Sequence, residues 1–84
     1  MPNHLEMREI LTEQEKTLLK ILGEVGAASP VELAVKTLSL PEEIDMSLHS
    51  LRDKHLIDVR KVSGRLGSDL IMINERGLRL AKEM

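Results

Sequence analysis

Between Leu40 and Met84 the hydrophobic period of this chain changes twice, and that change limits the folds open to it. Pro41 to His55 repeats apolar residues at helical spacing: Ile44, Leu48 and Leu51 follow an i, i+4, i+7 pattern that buries one face. Next come Ile57, Val59 and Val62, then Gly64-Arg65-Leu66-Gly67, then Leu70-Ile71-Met72-Ile73. The β-branched residues favour strands, and the two glycines supply the backbone freedom of a hairpin tip. Helical spacing returns after Asn74, a good N-cap, with Leu78, Leu80 and Ala81 able to pack back on a core.

The first half reads as two helices. Thr12 with Glu15 three residues on forms a capping box, so a helix is expected to begin near Glu13. Its apolar stripe is Leu18, Leu19, Ile21 and Leu22, with Val25 beyond, and Gly23 and Gly26 mark its end. Ser29-Pro30-Val31-Glu32 repeats the start signal with proline at the first helical position, predicting a helix from Pro30 to about Leu38. Gly26-Ala27-Ala28 leaves room for a very short strand before it. The few residues from Ser39 to Pro41 suit a helix-turn-helix connection. Residues 1–11 are expected to form an arm or short helix, and residues 12–84 one domain.

Composition removes several function classes. The 84 residues include no Cys, so no disulfide framework, zinc-thiolate site or cysteine nucleophile is available. They also include no Phe, Tyr or Trp. Proteins that bind single strands or RNA usually stack bases on such rings, which makes that class a poor fit. The core must be built from Leu, Ile, Val and Met. At 42% apolar and 31% charged the chain has the balance of a globular domain, and no apolar run approaches the roughly 20 residues needed to span a bilayer. Nothing in the first six residues resembles a signal peptide, so a cytoplasmic location with no membrane partner is expected.

No residue pattern points to catalysis or to a cofactor. His4, His49 and His55 are too scattered for a metal site, and His49 and His55 fall on different sides of one helix. Gly64-Arg65-Leu66-Gly67 lacks the Lys-Ser/Thr of a phosphate loop and does not open a helix. No serine has a base and an orienting acid in local context. The chain is read as a non-enzyme.

The order helix, strand, turn, strand, helix after two earlier helices resembles a winged helix-turn-helix domain, an α+β fold that is mainly α. From about Leu11 to Met84 the sequence is similar to the MarR-like transcription regulators. These commonly end the recognition helix in a basic residue, a glycine and Leu-Ile, and follow the wing with an apolar strand and Thr-x-x-Gly. The matching text here is Lys54-His55-Leu56-Ile57 and Ile73-Asn74-Glu75-Arg76-Gly77. Where the group has glycine this chain has His55, which implies a different helix exit.

The resemblance implies a transcription regulator on double-stranded DNA, with helix 41–55 at the major groove and wing 60–67 on the backbone. The residues placed to touch DNA are then Met46, His49, Ser50, Arg52 and Lys54 on the helix, and Arg60, Lys61 and Arg65 on the wing. A solvated hairpin whose charges stop edge strands from pairing explains the wing cations equally well. Regulators of this kind bind as two-fold dimers, and a homodimer here would use Met7, Ile10, Leu11, Leu78 and Leu80, whose other role is intramolecular core.

Charge runs against simple DNA binding. The net charge is −2, and Glu42, Glu43 and Asp45 open the helix that should enter the groove. Carboxylates repel phosphate, although they accept a hydrogen bond from cytosine and stabilise a first helical turn through its dipole. The competing function is a winged helix used as a protein-interaction module, free-standing or part of a larger protein, with the acidic helix start facing a basic partner.

Overall fold

The computed structural model describes residues 11–61 and 69–84. In chain order these form helix α1 (Glu13–Val25), strand β1 (Ala27–Ala28), helices α2 (Pro30–Thr37) and α3 (Pro41–Asp53), strands β2 (Ile57–Arg60) and β3 (Leu70–Ile73), and helix α4 (Glu75–Lys82). The strands make one antiparallel sheet in the order β1-β3-β2. Ile57 pairs with Ile73 and Arg60 with Leu70, while Ala27 and Ala28 pair with Met72 and Ile71. The short strand before α2 therefore adds a third member to the expected hairpin. Four helices and this sheet make a winged helix.

Local chemistry sets most of the boundaries. Both capping boxes form: the Thr12 hydroxyl accepts from the Glu15 amide and the Ser29 hydroxyl from the Glu32 amide, each Glu returning the bond to the cap's own amide. The Asn74 side chain accepts from the Gly77 amide at 2.8 Å. Leu40, before α3, has no side-chain acceptor, and only the returning half is made, from its amide to Glu43 at 3.1 Å. Pro41 then starts α3 without losing a hydrogen bond. Gly26 ends α1 at φ 85°, its amide bonded to the Leu22 carbonyl at 2.7 Å. Gly23 lies inside α1 instead of closing it, with its Cα face against Ala81 and Leu78 of α4.

α3 stops at Asp53, two residues before the expected His55. His55 adopts φ 60°, the left-handed conformation that glycine takes most readily. The exit expected to differ thus uses glycine's own geometry. It is held by the Leu56 amide donating to the Leu51 carbonyl at 3.1 Å, the His55 amide to Arg52 at 2.9 Å, and the Asn74 amide group to the His55 carbonyl at 2.8 Å. The His55 side chain is exposed and does not pack at the helix end. Leu38 closes α2 in the same left-handed region, at φ 53°.

The core is aliphatic. Leu18, Leu19 and Leu22 from α1, Leu33 from α2, Ile44 and Leu51 from α3, and Leu56, Ile71 and Leu80 are almost fully buried around one centre. Gly77 is needed where α4 meets the exit of α3, because a Cβ there would overlap the Leu56 carbonyl oxygen. That close approach accounts for the Asn-x-x-Gly start of the last helix. None of the helices among the described residues is long and apolar enough to cross a membrane.

Candidate nucleic-acid interface

α3 presents three different sides. Ile44, Leu48 and Leu51 enter the core. Asp45, Met46, His49, Arg52 and Asp53 are exposed, Met46 at 74%. Ser47, Ser50 and Lys54 face the start of α1, where polar partners await them.

This polar seam is the most densely hydrogen-bonded part of the site. The Ser47 hydroxyl donates to the Gln14 carbonyl oxygen at 2.6 Å, and the Gln14 NH2 donates to the Ser39 hydroxyl at 2.9 Å. Ser50 donates to Glu15 Oε2 at 3.0 Å, and Lys54 Nζ reaches the same oxygen at 2.8 Å and Ser50 Oγ at 3.0 Å. The other Glu15 oxygen accepts the Thr12 amide. Burial pushes the Glu15 carboxyl up, but the Lys54, Thr12 and Ser50 hydrogen bonds and the Lys54 charge outweigh it and hold the group below its ordinary value. A carboxylate only 2% exposed thus stays ionised because every direction around it is filled.

Two of the expected DNA contacts are engaged within the chain by this arrangement. Ser50 is half-buried and engaged by Glu15, and Lys54 points back to α1. The side chains turn inward because they lie beside the apolar stripe, not opposite it. Among the expected dimer residues, Leu11 (6% exposed) and Leu80 (1%) are taken up by the chain's own core. Leu78 is half-buried. Met7, Ile10, Val62, Arg65, the Gly64–Gly67 turn and His4 lie outside the described residues.

The outward cations separate into two groups. His49 and Arg52 of α3 and Lys61 beyond β2 line one groove of about 860 Å³, whose floor includes Ile44, Val59 and Ile71. Arg60 lines no part of it. Side chains alternate along a strand, so Arg60 faces away from the side shared by Val59 and Lys61. Asp45 and Asp69 also line the groove, and its far wall carries Val31, Val35 and Leu38, which are 57%, 67% and 93% exposed. Among the described residues no group of three His, Asp or Glu is placed to hold a metal ion.

Sequence reasoning missed Gln14, Ser39 and Ser47 altogether. The available signal was the spacing of Ser47, Ser50 and Lys54, a polar i, i+3, i+7 stripe next to the apolar one.

No family model and no curated protein matches the chain. Solved structures do. A MepR-like protein complexed with pseudoligands is 26% identical with a TM-score of 0.79, over 87% of this chain and 51% of that one. A zinc-responsive MarR family member, ZitR of Lactococcus lactis, is 22% identical with a TM-score of 0.77, over 87% and 50%. The adhesin competence repressor AdcR of Streptococcus pyogenes is 16% identical with a TM-score of 0.78, over 89% and 55%. The chain spans about half the length of these proteins.

Proposed function

We propose that this chain, a winged helix of MarR-like fold, is the DNA-binding part of a transcription regulator. α3 enters the major groove of duplex DNA, with Met46, His49 and Arg52 toward it. Lys61, and Arg65 beyond it, meet the flanking backbone. The observation that carries the reading is the shared groove: α3 and the end of β2 bring His49, Arg52 and Lys61 to one side of the molecule. Repressors and regulators among the similar folds support it. A homodimer would draw on Leu78 and the residues preceding Leu11, since Leu11 and Leu80 are buried.

The groove orders the cations by importance. Lys61 and Arg52 act together, while Arg60, on the other face of β2, contributes less. A duplex titration at two salt concentrations tests this. Lys61→Ala should lower the slope of log K against log salt by about 0.9, the contribution of one phosphate contact, and Arg60→Ala should change it less. Equal effects of the two substitutions would contradict the assignment.

One observation favours a second reading. Val31, Val35 and Leu38 form an exposed apolar stripe on α2, next to the acidic start of α3 at Glu42 and Asp45. Such a patch suits a protein partner with an apolar, basic segment. Under this reading no duplex binds at low salt, and Val35→Glu abolishes the partner contact.

A further inference from the structure

We propose that Gln14 and Glu15, in the first turn of α1, are positioning residues that fix the rotation and axial setting of α3. This rests on the DNA-binding reading for its consequence, though not for its geometry.

Apolar packing of Ile44, Leu48 and Leu51 holds α3 against the core but is weakly directional, because dispersion contacts tolerate small slides and turns. Hydrogen bonds do not tolerate them. The seam fastens α3 at Ser47, Ser50 and Lys54, a span of about 10 Å along the helix axis at 1.5 Å per residue. Gln14 also holds Ser39, in the turn that leads into α3. Both ends of its amide are used, the oxygen by Ser47 and the NH2 by Ser39, so it ties the helix body to its entry. Glu15 does the same farther along, joining Ser50 and Lys54 to the cap of its own helix at Thr12. Four α3-side and turn-side bonds, at 2.6 to 3.0 Å, converge on two adjacent residues of α1. A rotation of α3 about its axis would break them together. The outward side chains Met46, His49 and Arg52 stand on the same rigid helix, so the seam sets where they point.

The test separates position from stability. The paired substitution Gln14→Leu with Ser47→Ala removes both polar partners and leaves no orphaned group between them, while the Ser39 hydroxyl keeps its bond to the Thr37 carbonyl, which keeps the fold. Ser47→Ala alone is a milder second variant. Residual dipolar couplings of backbone amides give the full orientation of α3, its rotation about its own axis included, relative to the sheet and α4. The expected result is a changed α3 orientation, rotation about its axis included, beyond experimental error, with β2, β3 and α4 unchanged, and duplex affinity about tenfold weaker on the fully folded protein. An α3 orientation identical in both tilt and rotation to that of the unmodified chain overturns the proposal, whatever the affinity does. Should the unmodified chain bind no duplex while α3 still turns in the variants, the seam stands and the DNA-binding reading fails.

Discussion

The inner and outer sides of α3 are built on opposite principles. Inward, each side chain has a partner: Ile44, Leu48 and Leu51 meet the aliphatic core, and Ser47, Ser50 and Lys54 meet Gln14 and Glu15. Outward, Asp45, Met46, His49 and Arg52 stand in solvent on the same helix. A helix that served only to complete a core would have no need of a directional polar seam as well as an apolar stripe. The inner side of α3 is thus fully bonded within the chain, and the outer side is left open for contact.

Substitutions that challenge this contrast should fall in a definite order. Leu51→Ala, at a fully buried position, should cost about 2 to 5 kcal/mol in denaturant unfolding; a loss below 1 would mean that the inner side is loosely packed. Glu15→Leu removes the carboxylate that accepts from the Lys54 ammonium and the Ser50 hydroxyl, together with half of a capping box. Its expected cost is about 2 kcal/mol by the same measurement.

Acid should reveal the same carboxylate. The folded-state value of Glu15 is lowered from its ordinary 4.5, so its contribution is complete above that value and fades as pH falls through the lowered one. The stability gap between the unmodified chain and Glu15→Leu should therefore be constant near neutrality and close below about pH 4.5. A gap that widens in acid would reverse the sign of the assignment.

Smaller effects belong to the exits and the outer face. Leu38→Gly relieves a left-handed backbone at a side chain 93% exposed, and should stabilise the chain by about 0.5 to 1 kcal/mol in thermal melting. Destabilisation there would show that Leu38 packs on something in solution. Met46→Ala, outside, should alter stability by no more than about 0.5 kcal/mol while weakening any contact the face makes.

What could be read in advance was whatever is local in the chain. Thr12 with Glu15, Ser29 with Glu32, and Asn74 with Gly77 announce helix starts within three residues, and all three caps form. The change of period after Leu56 announced the sheet for the same reason. The seam was hidden because Gln14 and Ser47 are 33 residues apart and meet only after α1 and α3 pack. The partners of Lys54 and Ser50 are hidden too, since helical spacing gives a residue's angle but not which neighbour fills that direction. The separation of Arg60 from Lys61 is legible in the alternation of a strand, although the two cations are adjacent in sequence. His55 misled because residue type suggests a conformation without fixing it: the hydrogen bonds around Leu56 and Asn74 impose glycine's geometry on a histidine.

The most direct measurement of the central claim is fluorescence anisotropy of labelled duplex DNA against the unmodified chain at low and moderate salt, alongside Arg52→Ala with Lys61→Ala. Binding should weaken steeply with salt, and the paired variant should bind much more weakly with a slope about two units shallower. A folded chain that binds no duplex even at low salt, or a paired variant with unchanged affinity and slope, would contradict it.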